Sequence, residues 1–196
     1  MKLSALYKLC KKNKSVMLLT GDDGRQWIAV EGANLYPMDG LGTLDEGKLL
    51  IMMDVPEDER TDWDIFEKEM TEHLQFLAQD NRDDDRPAQK APVTICVDGD
   101  DLRPVYSAYG LVLVREDALR PVADSKKTQE LFVRKSTEGL FVVVKNGFEL
   151  IAVIGRTDID DEKVWEALSD TAAHIHKDVE RKRLQEQKTD GEQQRI

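Results

Sequence analysis

At 196 residues the chain is long enough to bury a real core, as one domain or two small ones. Its 40% hydrophobic and 34% charged residues describe a soluble globular protein with a heavily charged surface. No apolar run approaches the roughly 18 residues of a membrane helix. The opening MKLSALYKLCKKNK lacks the apolar stretch of a secretory signal, so a cytoplasmic protein without membrane partners is expected.

The formal net charge is -11, but its distribution is uneven. Residues 1–20 carry five lysines and no acid, whereas residues 54–90 carry 13 acids against 5 bases. Separation of this kind speaks to partners rather than to fold. Cys10 and Cys96 lack metal-ligand spacing and sit among apolar neighbours, which predicts buried, reduced thiols.

Leu3, Leu6, Tyr7 and Cys10 recur at helical spacing, with Lys8, Lys11 and Lys12 on the opposite face and Lys2 and Lys14 at the ends. This predicts an amphipathic first helix with a lysine face. Residues 16–38 then read as a three-stranded meander whose turns, GDDG and EGAN, have hairpin chemistry. The run KLLIMMDV, Lys48 to Val55, predicts a fourth strand closed by Pro56. Thr61 then marks a helix start, and Trp63, Phe66, Met70, His73, Leu74 and Leu77 repeat at helical steps, predicting a helix over 62–79.

Residues 80–92 hold two prolines and no apolar side chain larger than alanine, the composition of a flexible connection. Strands are predicted at Val93–Val97, Leu102–Ser107 and Tyr109–Arg115, then a short helix over 116–123 ahead of a second meander over 131–153. A last helix over 161–187 carries Val164, Trp165, Leu168, Ala172, Ile175 and Val179 on one stripe, and residues 188–196 form a frayed tail.

Motifs for catalysis or metal binding are missing or incomplete, so no catalytic, cofactor or metal residues are assigned. Gly42 to Lys48 has phosphate-loop spacing, but Leu49 replaces the magnesium-holding hydroxyl, Asp45 and Glu46 would repel phosphate, and a strand rather than a helix is predicted to follow. The two Gly-Asp-Asp runs fall at turns, and three aspartates near Gly99 do not meet the calcium-loop pattern. His174 and His176, two apart on a predicted helix, project away from one another.

The two meanders are written to one template. Gly24 and Gly32 in VMLLTGDDGRQWIAVEGANLYPM, and Gly139 and Gly147 in LFVRKSTEGLFVVVKNGFELIAV, are each eight residues apart. Each meander follows a helix, and residues 109–154 read β, α, β, β, β. The fold class predicted is α+β, with antiparallel sheets from two βαβββ-like pseudo-repeats: 1–79 with its acidic helix, and 93–160 beyond the 80–92 connection.

This unit resembles the half-domains of DNA sliding clamps, whose helices line a central hole and whose sheets form the outer wall. The resemblance implies a non-catalytic processivity or DNA-tracking factor, a homo-oligomer joined through sheet edges, on double-stranded DNA without sequence specificity. Lys8, Lys11 and Lys12, with Lys2 and Lys14, would face the duplex, joined in the second copy by Arg115, Arg120, Lys126 and Lys127. The stretch GRQWIAVEGANLYPM is also similar to small uncharacterised proteins encoded in prophages of Gram-positive bacteria, which implies a phage setting. An alternative expectation comes from charge alone. Asp64, Glu67, Glu69 and Glu72, opposite Trp63, Phe66 and Met70 on the predicted acidic helix, make a surface for a basic protein partner, as in a regulator of phage origin that engages a host protein.

Overall fold

Hairpin turns closed by residues in the left-handed region set the frame of the sheet, with Gly24 at φ 79° and Gly147 at φ 63°. The computed structural model describes residues 1–31, 33–123 and 129–159. Helix α1 (Leu3–Lys11) leads into strands β1 (Ser15–Thr20), β2 (Gln26–Val30) and β3 (Asn34–Pro37). Helix α2 (Glu46–Met52) and a 3-10 turn (Glu57–Asp62) connect to β4 (Asp64–Glu69) and the short α3 (Glu72–Leu77). Strands β5 (Arg86–Lys90), β6 (Ile95–Val97), β7 (Asp100–Ser107) and β8 (Gly110–Arg115) follow. Helix α4 (Glu116–Leu119) precedes β9 (Glu130–Ser136), β10 (Gly139–Asn146) and β11 (Glu149–Gly155).

The two expected meanders are therefore β1 to β3 and β9 to β11. They share one mixed sheet of 11 strands, ordered β4-β1-β2-β3-β11-β10-β9-β5-β7-β6, with β8 on β7. An α+β fold is thus present, but as a single sheet, because β3 pairs with β11, and as a mixed one, because β4 runs parallel to β1. The meanders meet about a local twofold, third strand against third strand, at one ladder pair, Val153 and Leu35. The Asn34 side chain closes this seam by accepting a buried hydrogen bond from the Gly155 N–H at 3.1 Å. Gly155 is required there by space, since a Cβ on it would lie 2.4 Å from Cβ of Ala33.

The central strands are covered on both faces, which is why β2, β3, β10 and β11 read as nearly continuous apolar runs. On one face Val16, Ile28, Val142 and Ile154 pack with Leu6, Leu9 and Cys10 of α1, Leu49 and Leu50 of α2, and Ala118 and Leu119 of α4. The sheet curls, so Val105, Val112 and Val114 of β7 and β8 join the same cluster. On the other face Trp27, Leu35, Val143 and Val153 pack with Met70, just before α3, and with Leu77 at its end. The Tyr36 hydroxyl, donating to the Ala118 carbonyl at 2.6 Å, ties β3 to α4 inside this core.

Several expectations are corrected. Lys48 to Val55 is not a strand: Asp45 caps a helix by accepting from the Lys48 N–H at 2.8 Å, and lysine, leucine and methionine propagate it. The helix over 62–79 is replaced by β4 and α3, because the ladder with β1 takes the backbone first. Trp63 and Met70, which look like one helical stripe, belong to the two opposite clusters, and Phe66 between them is exposed. Thr71, not Thr61, is the N-cap, accepting from the Leu74 N–H. Cys96 is exposed, while Cys10 is buried and its thiol is pushed up to about 12 by burial. The helix over 161–187, the tail, His174, His176, Lys126, Lys127 and Gly32 lie outside the described residues.

The 80–92 stretch, expected to be a flexible connection, holds β5 between β9 and β7. Most of its polar residues stay at the surface, but Asp85 is used inside the protein. The fully buried Arg134 of β9 makes a fork on Asp85 at 2.8 Å through both Nε and Nη2, and also donates to the carbonyls of Leu77 and Gln79. Lys145 completes the cluster at 2.7 Å from Asp85, whose side chain is only 4% exposed. Burial opposes ionisation of Asp85, but hydrogen bonds from Arg134 and then Lys145 outweigh it and hold the carboxyl below the ordinary aspartate value. A carboxyl depressed in the folded state stabilises above its unfolded value and ceases to do so as pH falls through the folded one. Replacing Asp85→Asn strands two buried cations and should cost about 3–5 kcal/mol of unfolding free energy in urea at neutral pH. The gap between parent and variant should narrow once the pH drops below about 4, the unfolded aspartate value. No gap at neutral pH, or a gap that stays constant well below about pH 4, would show that the cluster does not anchor this segment.

Candidate functional site

The first helix does present its lysines to the surface, because Leu6, Leu9 and Cys10 take the buried side. Four of the expected DNA-facing set are met by carboxylates of the same chain. Lys11 lies 3.2 Å from Glu59, Lys14 2.8 Å from Asp62, and Lys12 3.2 Å from Asp100 and 3.9 Å from Asp117. Arg115 joins the last group, 2.6 Å from Asp117, 3.1 Å from Glu31 and 3.5 Å from Asp100. The exposed lysine pairs add about 0.2–1 kcal/mol each, yet together with the partly buried Arg115 pairs they cancel the local field that a phosphate backbone would feel. Lys2 and Lys8 are exposed and form no ion pair among the described residues. Arg120 is exposed at the end of α4, away from the lysine row in sequence.

The four acids expected on one helix face fall on two elements. Asp64, Glu67 and Glu69 lie on β4, and Glu72 opens α3. All four are exposed, and among the described residues none has a cation partner, although the Glu67 carboxylate accepts from the Glu46 N–H at 2.9 Å. The lysines are therefore largely neutralised in place, while these acids are not.

Strand β4 is the last strand on its side of the sheet, with β1 as its only strand partner among the described residues. The Asp64 N–H donates to the Lys14 carbonyl and the Met70 N–H to the Thr20 carbonyl, both at 2.8 Å. Strand alternation then directs Phe66 and Lys68 towards β1 in the same way, and turns the backbone groups of Ile65, Glu67 and Glu69 to the open side. Phe66 is 47% exposed, with the Lys68 ammonium 5.8 Å from its ring centre. Sequence patterning missed this edge because its few apolar residues matched a helical period. The cue that was available is Thr71, a second cap candidate that starts a helix only after Met70.

The contacts around α3 bring together one group of chemical interest that the sequence did not reveal. Ser136 Oγ lies 3.4 Å from Nδ1 and 3.5 Å from Nε2 of His73, and Glu138 lies 3.2 Å from Nε2. A nucleophile, base and acid relay needs the serine and the carboxylate on different ring nitrogens. Here the serine is shared between both and the carboxylate takes Nε2, so the cluster pins the β9–β10 hairpin to α3. The phosphate-loop resemblance needs one amendment: a helix does follow Gly42 to Lys48. Lys48 Nζ is nevertheless committed to the Thr43 carbonyl at 2.9 Å and to Asp45 at 3.1 Å, and both acids remain. Among the described residues no group of three or more His, Cys, Asp or Glu side chains is placed to hold a metal ion. No helix among them is long and apolar enough to cross a membrane.

Set against known proteins, the chain matches no family model, no curated protein and no solved structure.

Proposed function

We propose that this protein is a non-catalytic binding protein that engages a basic protein partner through the acidic surface of β4 and the start of α3. The observation that carries the reading is the contrast in compensation. Lys11, Lys12 and Lys14 are paired within the chain, whereas Asp64, Glu67, Glu69 and Glu72 are exposed and lack cation partners among the described residues. Uncompensated charge of one sign steers and selects partners of the other, and rim charges act mainly on association rate. The combined variant Asp64→Asn, Glu67→Gln, Glu69→Gln, Glu72→Gln keeps side-chain shape and removes the field. It should weaken capture of basic protein partners from a host lysate by about tenfold or more, with the largest change in association rate. Equal affinity in the neutralised variant would exclude this surface.

A second reading, tracking along duplex DNA, is favoured by Lys2 and Lys8, the α1 lysines without ion pairs among the described residues. The double variant Lys2→Glu, Lys8→Glu breaks no ion pair of the fold. Under this reading it should abolish retention of primed DNA and flatten the salt dependence of binding. Unchanged retention would remove the DNA role from this helix.

A further inference from the structure

We propose that two copies of this protein pair through their β4 strands, antiparallel, about a twofold axis at Phe66. Among the described residues the edge is available. The N–H and C=O groups of Ile65, Glu67 and Glu69 face away from β1 and take no backbone partner among the described residues. An unpaired edge invites addition of another strand, and native proteins commonly guard such edges with a lysine. Lys68 is placed to act as that guard against a foreign strand. In an antiparallel pair of copies it ceases to be one.

The reason lies in the order Asp64, Ile65, Phe66, Glu67, Lys68. With Phe66 opposite the partner's Phe66, Asp64 falls opposite the partner's Lys68, and Lys68 opposite the partner's Asp64. These residues share one face of the strand, so that face repeats acid, aromatic, base and complements itself under twofold rotation. The backbone parity agrees. Ile65 and Glu67 point their backbone groups outward, so Ile65 with the partner's Glu67 is a hydrogen-bonded pair and the converse pair is its symmetry mate. The Phe66 and Asp64–Lys68 positions are then the non-hydrogen-bonded ones, where opposing Cα atoms come within about 4.5 Å and side chains interact most closely. Asp64 has no cation partner among the described residues, and Phe66 is 47% exposed, so both have interactions to gain. The opposing cost is the diagonal approach of Glu67 to the partner's Glu67 on the other face, one like-charge contact against two opposite-charge ones. A basic foreign strand in this position would set its cations against Lys68, which favours a second copy as the occupant of the edge itself. The Glu67 and Glu69 side chains stay on the sheet face and remain free for the basic partner proposed above.

Sedimentation equilibrium of the full chain over a range of concentrations tests the pairing, with circular dichroism to confirm that these exposed substitutions leave the fold intact. The parent should show a monomer–dimer equilibrium. Asp64→Lys and Lys68→Asp should each raise the dimer dissociation constant by about tenfold or more, since each sets like charges opposite at both ends of the pair. The double variant Asp64→Lys, Lys68→Asp should restore the parent value to within about threefold. A parent that stays monomeric, single variants that dimerise like the parent, or a double variant that fails to recover would each overturn the proposal. Lys68→Asp also separates it from the basic-partner reading, because that substitution removes the dimer while leaving the acidic surface in place.

Discussion

A fully buried arginine fixes where the rest of the protein can go. Arg134 on β9 binds Asp85 and the carbonyls at the end of α3, and so joins the segment after α3 to the middle of the sheet. Three charged groups, Arg134, Asp85 and Lys145, share this interior, and each is tolerable only because the others are present. Once the segment after α3 is held there, β5 enters the sheet between β9 and β7. The chain just before α3 is left to run along the far margin as β4.

The local twofold arrangement of the two meanders serves the same end. Because β3 meets β11 in antiparallel fashion, the first strands of the two units, β1 and β9, lie on the outside of the six-stranded centre. Each outer strand then takes a different neighbour, β5 on β9 and β4 on β1. The first neighbour is itself covered by β7, and the second is covered by no strand among the described residues. One pseudo-symmetric centre thus yields one internal strand and one open edge. The open edge carries Asp64, Glu67 and Glu69, three acids without a cation partner among the described residues.

Much of this was legible from residues alone, and the failures share a cause. The two meanders, the strands of β6 to β8 and the short α4 were readable because glycine turns and period-two patterning are local signals. Asp45 was readable as a cap in principle, but the apolar run after it matched a buried strand equally well. Residues 62–79 failed because Trp63, Phe66 and Met70 sit at helical spacing while serving different sides of a sheet. A parallel ladder with a strand more than forty residues away decides the matter, and nothing local announces it. Residues 80–92 failed because composition does not say whether an aspartate faces water or a buried arginine. The lysine face was seen correctly, but its neutralising acids, such as Asp62 and Asp100, come from distant parts of the chain.

The interaction surface rests on β4 being a strand with one side open, and amide hydrogen exchange resolved by residue over 62–79 measures that directly. At dilution the amides of Phe66, Lys68 and Met70 should exchange slowly, with those of Ile65, Glu67 and Glu69 fast. As concentration rises, Ile65 and Glu67 should become protected as two edges pair. Unbroken, concentration-independent protection from residue 62 to residue 79 would signify a continuous helix and contradict both the edge and everything assigned to it.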